Sequence, residues 1–119
     1  MADTAVLTGG ELNAAVTKAI VKIQAAHLGR GPANASTFHH DNVLVTLMHD
    51  VLSHAETILG QNGHHTTVSD WRAILQTELE PDFRAAVERL TGRKVLAFIS
   101  GNHLDPDVAA EMFILDAPL

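Results

Sequence analysis

The chain has no cysteine and no tyrosine, only one tryptophan and four phenylalanines in 119 residues, and only 8 Lys and Arg against 14 Asp and Glu. Without cysteine there is no disulfide framework and no thiolate metal centre, so stability must come from packing, and a reducing cytoplasm is the expected home. The deficit of basic residues leaves a formal charge of −6. That charge repels a phosphate backbone, which excludes nucleic acid as an expected partner. No segment approaches the roughly 20 consecutive apolar residues that a membrane span needs. Met1–Gly10 lacks the basic start and apolar middle of a secretory signal, so membrane contact is expected only through a partner.

What is present is a 46% hydrophobic composition, enough for the core of one domain of this length. Thr8-Gly9-Gly10-Glu11 has the pattern of a capping box, and Leu12, Ala15, Val16, Ala19, Ile20 and Ile23 recur at helical spacing until Gly29 and Gly31-Pro32. Ser36–His40 and Val43–Met48, separated by the polar pair Asp41-Asn42, predict a hairpin. Ser53-His54-Ala55-Glu56 is a second capping-box pattern; the short helix it opens should end at Gly60–Gly63, with His64–Thr67 as a loop.

Trp71, Ile74, Leu75, Leu79, Phe83, Ala86, Val87 and Leu90 keep one helical phase through Pro81, predicting a single long helix, bent at Pro81, with these residues on its core face. Thr91-Gly92 should end it, before strands at Lys94–Ser100 and Val108–Leu115. The expected class is α+β, in the order α-β-β-α-α-β-β, with a four-stranded, largely antiparallel sheet packed with helices. Residues 1–10 are read as a flexible N-terminus, 11–116 as the domain and 117–119 as a tail. Both alternating sets in the last two strands are apolar, Val95, Ala97 and Ile99 against Leu96 and Phe98, for instance. Both sheet faces therefore need cover, from the first helix crossing over or from a second copy in a homodimer, and we favour the homodimer.

Candidate chemistry is thin. His39-His40 and His64-His65 are adjacent pairs among eight histidines, but neighbours on a strand point to opposite faces and cannot chelate one ion together. Asp105-Pro106-Asp107 suits a turn better than a cation site. Arg30 and Arg93, each beside glycine, are the candidate ligand-binding residues, because a guanidinium can clamp an anion with two donors. Glu78, Glu80, Asp82 and Glu88 read as a solvated helix face. Ser53 and Ser100 lack the frame of a nucleophile. No catalytic residue, metal ligand set or cofactor is assigned.

Gly29-Arg30-Gly31-Pro32, Val51–Leu59 and Leu90-Thr91-Gly92-Arg93-Lys94-Val95, taken together, give the chain a family likeness from about Glu11 to Asp116. It resembles the MpsC-type family, labelled a component of a sodium-translocating, membrane-potential-generating system. The resemblance implies a non-enzymatic accessory or regulatory subunit, associated with a cation-translocating membrane protein complex but not itself the ion path. Two alternatives stand beside it: a sensor that binds a small anion near Arg30 or Arg93, and a metal-dependent enzyme built on the histidines.

Overall fold

The computed structural model describes residues 6–119; readings that concern Met1–Ala5 lie outside the described residues. Helix α1 spans Gly9–Leu28, so it takes in the last residues of the segment read as a flexible N-terminus, and it buries Leu12, Val16, Ile20 and Gln24. It stops where Gly29, at φ 80°, donates its N–H to the Ala25 carbonyl, a left-handed cap that costs glycine no Cβ clash. The expected capping box at Thr8 is not formed: the Thr8 side chain makes no capping bond. Gly9 enters the helix at φ 54°, which takes the first turn away from the geometry that such a box requires.

The hairpin follows as β1 (Asn34–His40) and β2 (Val43–His49), joined by a two-residue turn with Asp41 at φ 54°. Helix α2 (His54–Gln61) opens with the second capping box intact. Ser53 N–H donates to Glu56 Oε1 at 2.8 Å and Glu56 N–H donates to Ser53 Oγ at 3.2 Å. Helix α3 (His65–Thr91) runs unbroken through Pro81 and ends at Gly92, φ 67°. Strands β3 (Val95–His103) and β4 (Val108–Leu115) complete the chain. All pairs are antiparallel and the strand order is β1-β2-β4-β3, so the α+β expectation holds, and β4 is inserted between β2 and β3.

Three expectations need correction. His65–Thr67 are the first turn of α3, not a loop, because Val68, 2% exposed, is buried in the core and draws the helix back by a turn. Trp71 and Ile74 are not core residues: they are 54% and 61% exposed. The inward stripe is Val68, Arg72, Leu79, Phe83, Ala86 and Val87, and a side chain beside Arg72 in sequence sits about 100° round the helix from it. Finally, Leu96 does not share a face with Phe98. A register irregularity between Val95 and Ala97 leaves Leu96 64% exposed.

Helices α1 and α3 lie side by side on one face of the sheet, with Leu12, Val16 and Ile20 meeting Leu44, Met48, Phe83, Val87, Phe113 and Leu115 in one core. The first helix does not cross to the second face. Arg72 occupies the inward stripe because its charge is met inside: Nε donates to Glu56 Oε2 at 2.8 Å, and NH2 donates to Glu56 Oε1 at 2.6 Å and to the Val51 carbonyl at 2.8 Å. The same Glu56 caps α2, so one carboxylate fixes α2, α3 and the β2–α2 connection.

Removing one member of such a pair strands the other charge, at a cost of about 3–5 kcal/mol. Arg72→Ala should therefore lower the urea unfolding free energy by about 3 kcal/mol, while Trp71→Ala, at an exposed position, should cost under about 1 kcal/mol. Equal losses for the two variants would contradict this assignment of the inward stripe.

Candidate functional site

Strand periodicity places every second residue of β4 under the helices. Ala109, Glu111, Phe113 and Leu115 are all buried, and Glu111 is 2% exposed. The register sets Thr46 of β2 on one side of Glu111 and Ser100 of β3 on the other, with Thr37 of β1 beyond Thr46. A polar row thus crosses the whole sheet beneath the helices. Thr17 of α1 lies 2.7 Å from Thr37, oxygen to oxygen, and Thr37 lies 2.8 Å from Thr46. The Ser100 hydroxyl donates to both Glu111 carboxylate oxygens, at 2.7 Å for Oε2. One step toward the turn, Gln76 of α3 donates to Asn102 Oδ1, and the buried Asn102 amide nitrogen has no partner among the described residues.

Burial pushes the Glu111 carboxyl up to about 7, against the opposing effects of the Ser100 hydrogen bond and the Arg72 charge, because a carboxylate out of water loses its solvation. Glu56 goes the other way. Burial also raises its pKa, but the Arg72 hydrogen bonds and charge, with the Ser53 backbone and hydroxyl, together outweigh burial and hold it below the ordinary value. The interior therefore contains one carboxyl kept ionised by a guanidinium and another that changes charge near neutrality. Among the described residues no hydroxyl, imidazole and carboxylate are brought together as a nucleophilic set around either group.

The residues singled out in the sequence fall elsewhere. Arg30 donates to the Leu52 carbonyl and, at 3.2 Å, to the Asp50 carbonyl. Arg93 donates to the Pro118 carbonyl through Nε and NH2, at 3.2 and 3.0 Å. They sit at opposite ends of the sheet, Arg30 beside the end where His49 pairs with Val108, Arg93 beside the end where Val95 pairs with Leu115, so no single site holds both. The 117–119 tail is tied down, with Leu119 N–H donating to the Asp41 carbonyl. His39 turns inward to Asn13 at 2.7 Å while His40 is exposed, the opposed orientation expected of strand neighbours. Among the described residues no group of three or more His, Asp or Glu could hold a metal ion. Asp107 does more than shape its own turn: its two oxygens accept from Val51 N–H and Leu52 N–H at 3.2 and 3.0 Å. Glu80 pairs with Arg84 at 2.6 Å, and Glu88 accepts from Val95 N–H at 2.8 Å, so these two helix acids are not simply solvated.

Glu111 and Arg72 escaped the sequence reading, which placed Glu56 in a capping box but not in an ion pair. A signal existed for Glu111: it is the only charge between Val108 and Leu115, and its period-two phase is that of Ala109, Phe113 and Leu115.

A carboxyl whose pKa is raised on folding stabilises the fold fully below its unfolded value of 4.5, and that contribution is lost as pH rises through about 7. At about 1.4 kcal/mol per tenfold change in proton affinity, the difference between 4.5 and about 7 is worth about 3 kcal/mol. Glu111→Gln should therefore match the parent in urea unfolding at pH 4 and exceed it by about 1–3 kcal/mol at pH 8. Parallel pH profiles for the two proteins would count against a buried, neutral-range carboxyl.

No curated protein and no solved structure matches the chain. The family model described as Na+-translocating membrane potential-generating system (MpsC) matches residues 8–117. With nearly the whole chain matched and the α-β-β-α-α-β-β order described above, the protein belongs to the MpsC family.

Proposed function

We propose that the chain is a non-enzymatic accessory or regulatory subunit of the sodium-translocating system for which its family is named, working at the cytoplasmic face of the membrane as a homodimer. Two observations support a subunit role. No helix among the described residues is long and apolar enough to cross a membrane, so no helical ion path is available here. Among the described residues the interior offers a titratable carboxyl and ion-paired side chains but no nucleophilic set.

The observation that carries the reading is the uncovered sheet face. With both long helices on the other side, the row Phe38–Val45–Met112–Ile99 crosses all four strands, flanked by Val43, Ile114 and Ala97 and by Leu47 and Ala110. Phe38 is 50% and Ile99 58% exposed. None of these positions is Asp, Glu, Lys or Arg. A neutral apolar face can stack on its own copy without like-charge repulsion, which matters for a chain of charge −6, and face-to-face packing of two sheets buries each copy's exposed row.

Sedimentation velocity should show a dimer, and Ile99→Asp, at a position already exposed in the single chain, should convert it to a monomer with unchanged far-UV circular dichroism. A parent protein that stays monomeric at every concentration would remove the dimer. The subunit role is tested separately: everted vesicles from cells lacking the gene should lose sodium-dependent membrane potential and regain it when the purified protein is added. Vesicles that keep their full potential without the protein would refute that role.

A further inference from the structure

We infer that the outer edge of β1, with the groove between β1 and α1, is a docking site for an extended acidic segment of a partner protein, added to the sheet as a fifth strand. This surface is distinct from the open face above, and the inference does not rest on the dimer.

Strand β1 is an edge of the sheet. Edge strands are ordinarily guarded by lysine, proline or a bulge against pairing with other chains. The opposite edge, β3, carries the irregularity at Leu96. β1 has none of these guards: Asn34–His40 contains no Lys, Arg or Pro, and its register with β2 is continuous. In a hairpin closed by two residues, His40 and Val43 are a hydrogen-bonded pair, so alternate residues Ala35, Thr37 and His39 turn their N–H and C=O groups away from β2. Among the described residues these groups have no other backbone partner.

The neighbouring groove has a volume of about 940 Å³ and a floor of small side chains, among them Ala14, Val21 and Ala25 of α1 with Pro32 and Ala35 on the other wall. An added strand would send every second side chain toward it. Lys18 and Lys22 line the same groove, which includes no Asp or Glu. They are two of the three lysines in the sequence, both are exposed, and neither forms a salt bridge among the described residues. A chain of net charge −6 thus keeps two unpaired cations beside its one unguarded edge. That charge selects an acidic strand. It also disfavours a second copy here, since two β1 strands related by a two-fold axis would bring the α1 lysines of both copies together.

(Val-Glu)₄-NH₂ carrying fluorescein on its N-terminal amine is the probe, with (Val-Lys)₄-NH₂ labelled at the same amine as its charge control. The acidic peptide should bind by fluorescence anisotropy, more weakly as salt is raised, and should shift the amide resonances of Ala35–His39. K18E/K22E should weaken it about tenfold or more. The acidic peptide N-methylated at alternate amides, in either phase, should lose binding in the phase that faces β1, a control that leaves the protein untouched. The inference is overturned by equal binding of the two peptides, by indifference to charge reversal or to both N-methylated forms, by no anisotropy change at millimolar protein, or by β1 amides found paired with a second copy.

Discussion

Four strands spaced about 4.8 Å apart make a sheet roughly 15–20 Å wide, and two helices packed side by side about 10 Å apart cover one such face. The chain has two long helices, α1 of 20 residues and α3 of 27, while α2 has 8. At about 1.5 Å per residue α2 is only about 12 Å long, too short to shield the second face. Once α1 and α3 share a side, the other face of the sheet is open by geometry, whatever its side chains. Strand alternation then decides which residues are enclosed and which are presented.

The enclosed face is not uniformly apolar, and its polar residues are arranged to survive there. Unpaired polar groups cost free energy when buried. Thr37, Thr46, Glu111 and Ser100 fall in one cross-strand row, and Thr17 closes the row from the helix above. A one-residue slip in any pair would move a member of that row to the opposite face, so the row opposes misregistration as well as satisfying hydrogen bonds. Arg72 and Glu56 solve the same problem with charge instead of hydroxyls.

Patterns that depend on neighbours in sequence are legible in the sequence: the glycine stops at Gly29 and Gly92, the hairpin about Asp41, the capping box at Ser53 and the element order. The misjudged face of α3 has one cause. Trp71 and Ile74 look like core by residue type, yet the inward direction of α3 is set by Val68 and by Arg72 finding Glu56 sixteen residues away, a partner that local periodicity cannot reveal. Glu111 is similar. Its phase marks it as inward, but the side chains that make the position tolerable, Ser100 and Arg72, come from β3 and α3. Arg30 and Arg93, candidate ligand-binding residues by sequence, donate to the backbone carbonyls of Asp50, Leu52 and Pro118, partners that have no side-chain signature.

The polar row also explains why the β1 edge differs from the interior it borders. Its last members, Thr17 and Thr37, hydrogen-bond to each other beneath the α1–β1 groove, and His39 is held by Asn13. These polar side chains are thereby paired within the fold, and the groove beside the edge presents small apolar and small polar side chains with two lysines. Open edges invite association, and a protein keeps one only if its charge restricts the partners that can use it. Here Lys18 and Lys22 supply that restriction: they repel a second α1 and attract carboxylates. On a chain rich in acid, the position of its few free cations carries more information than their number.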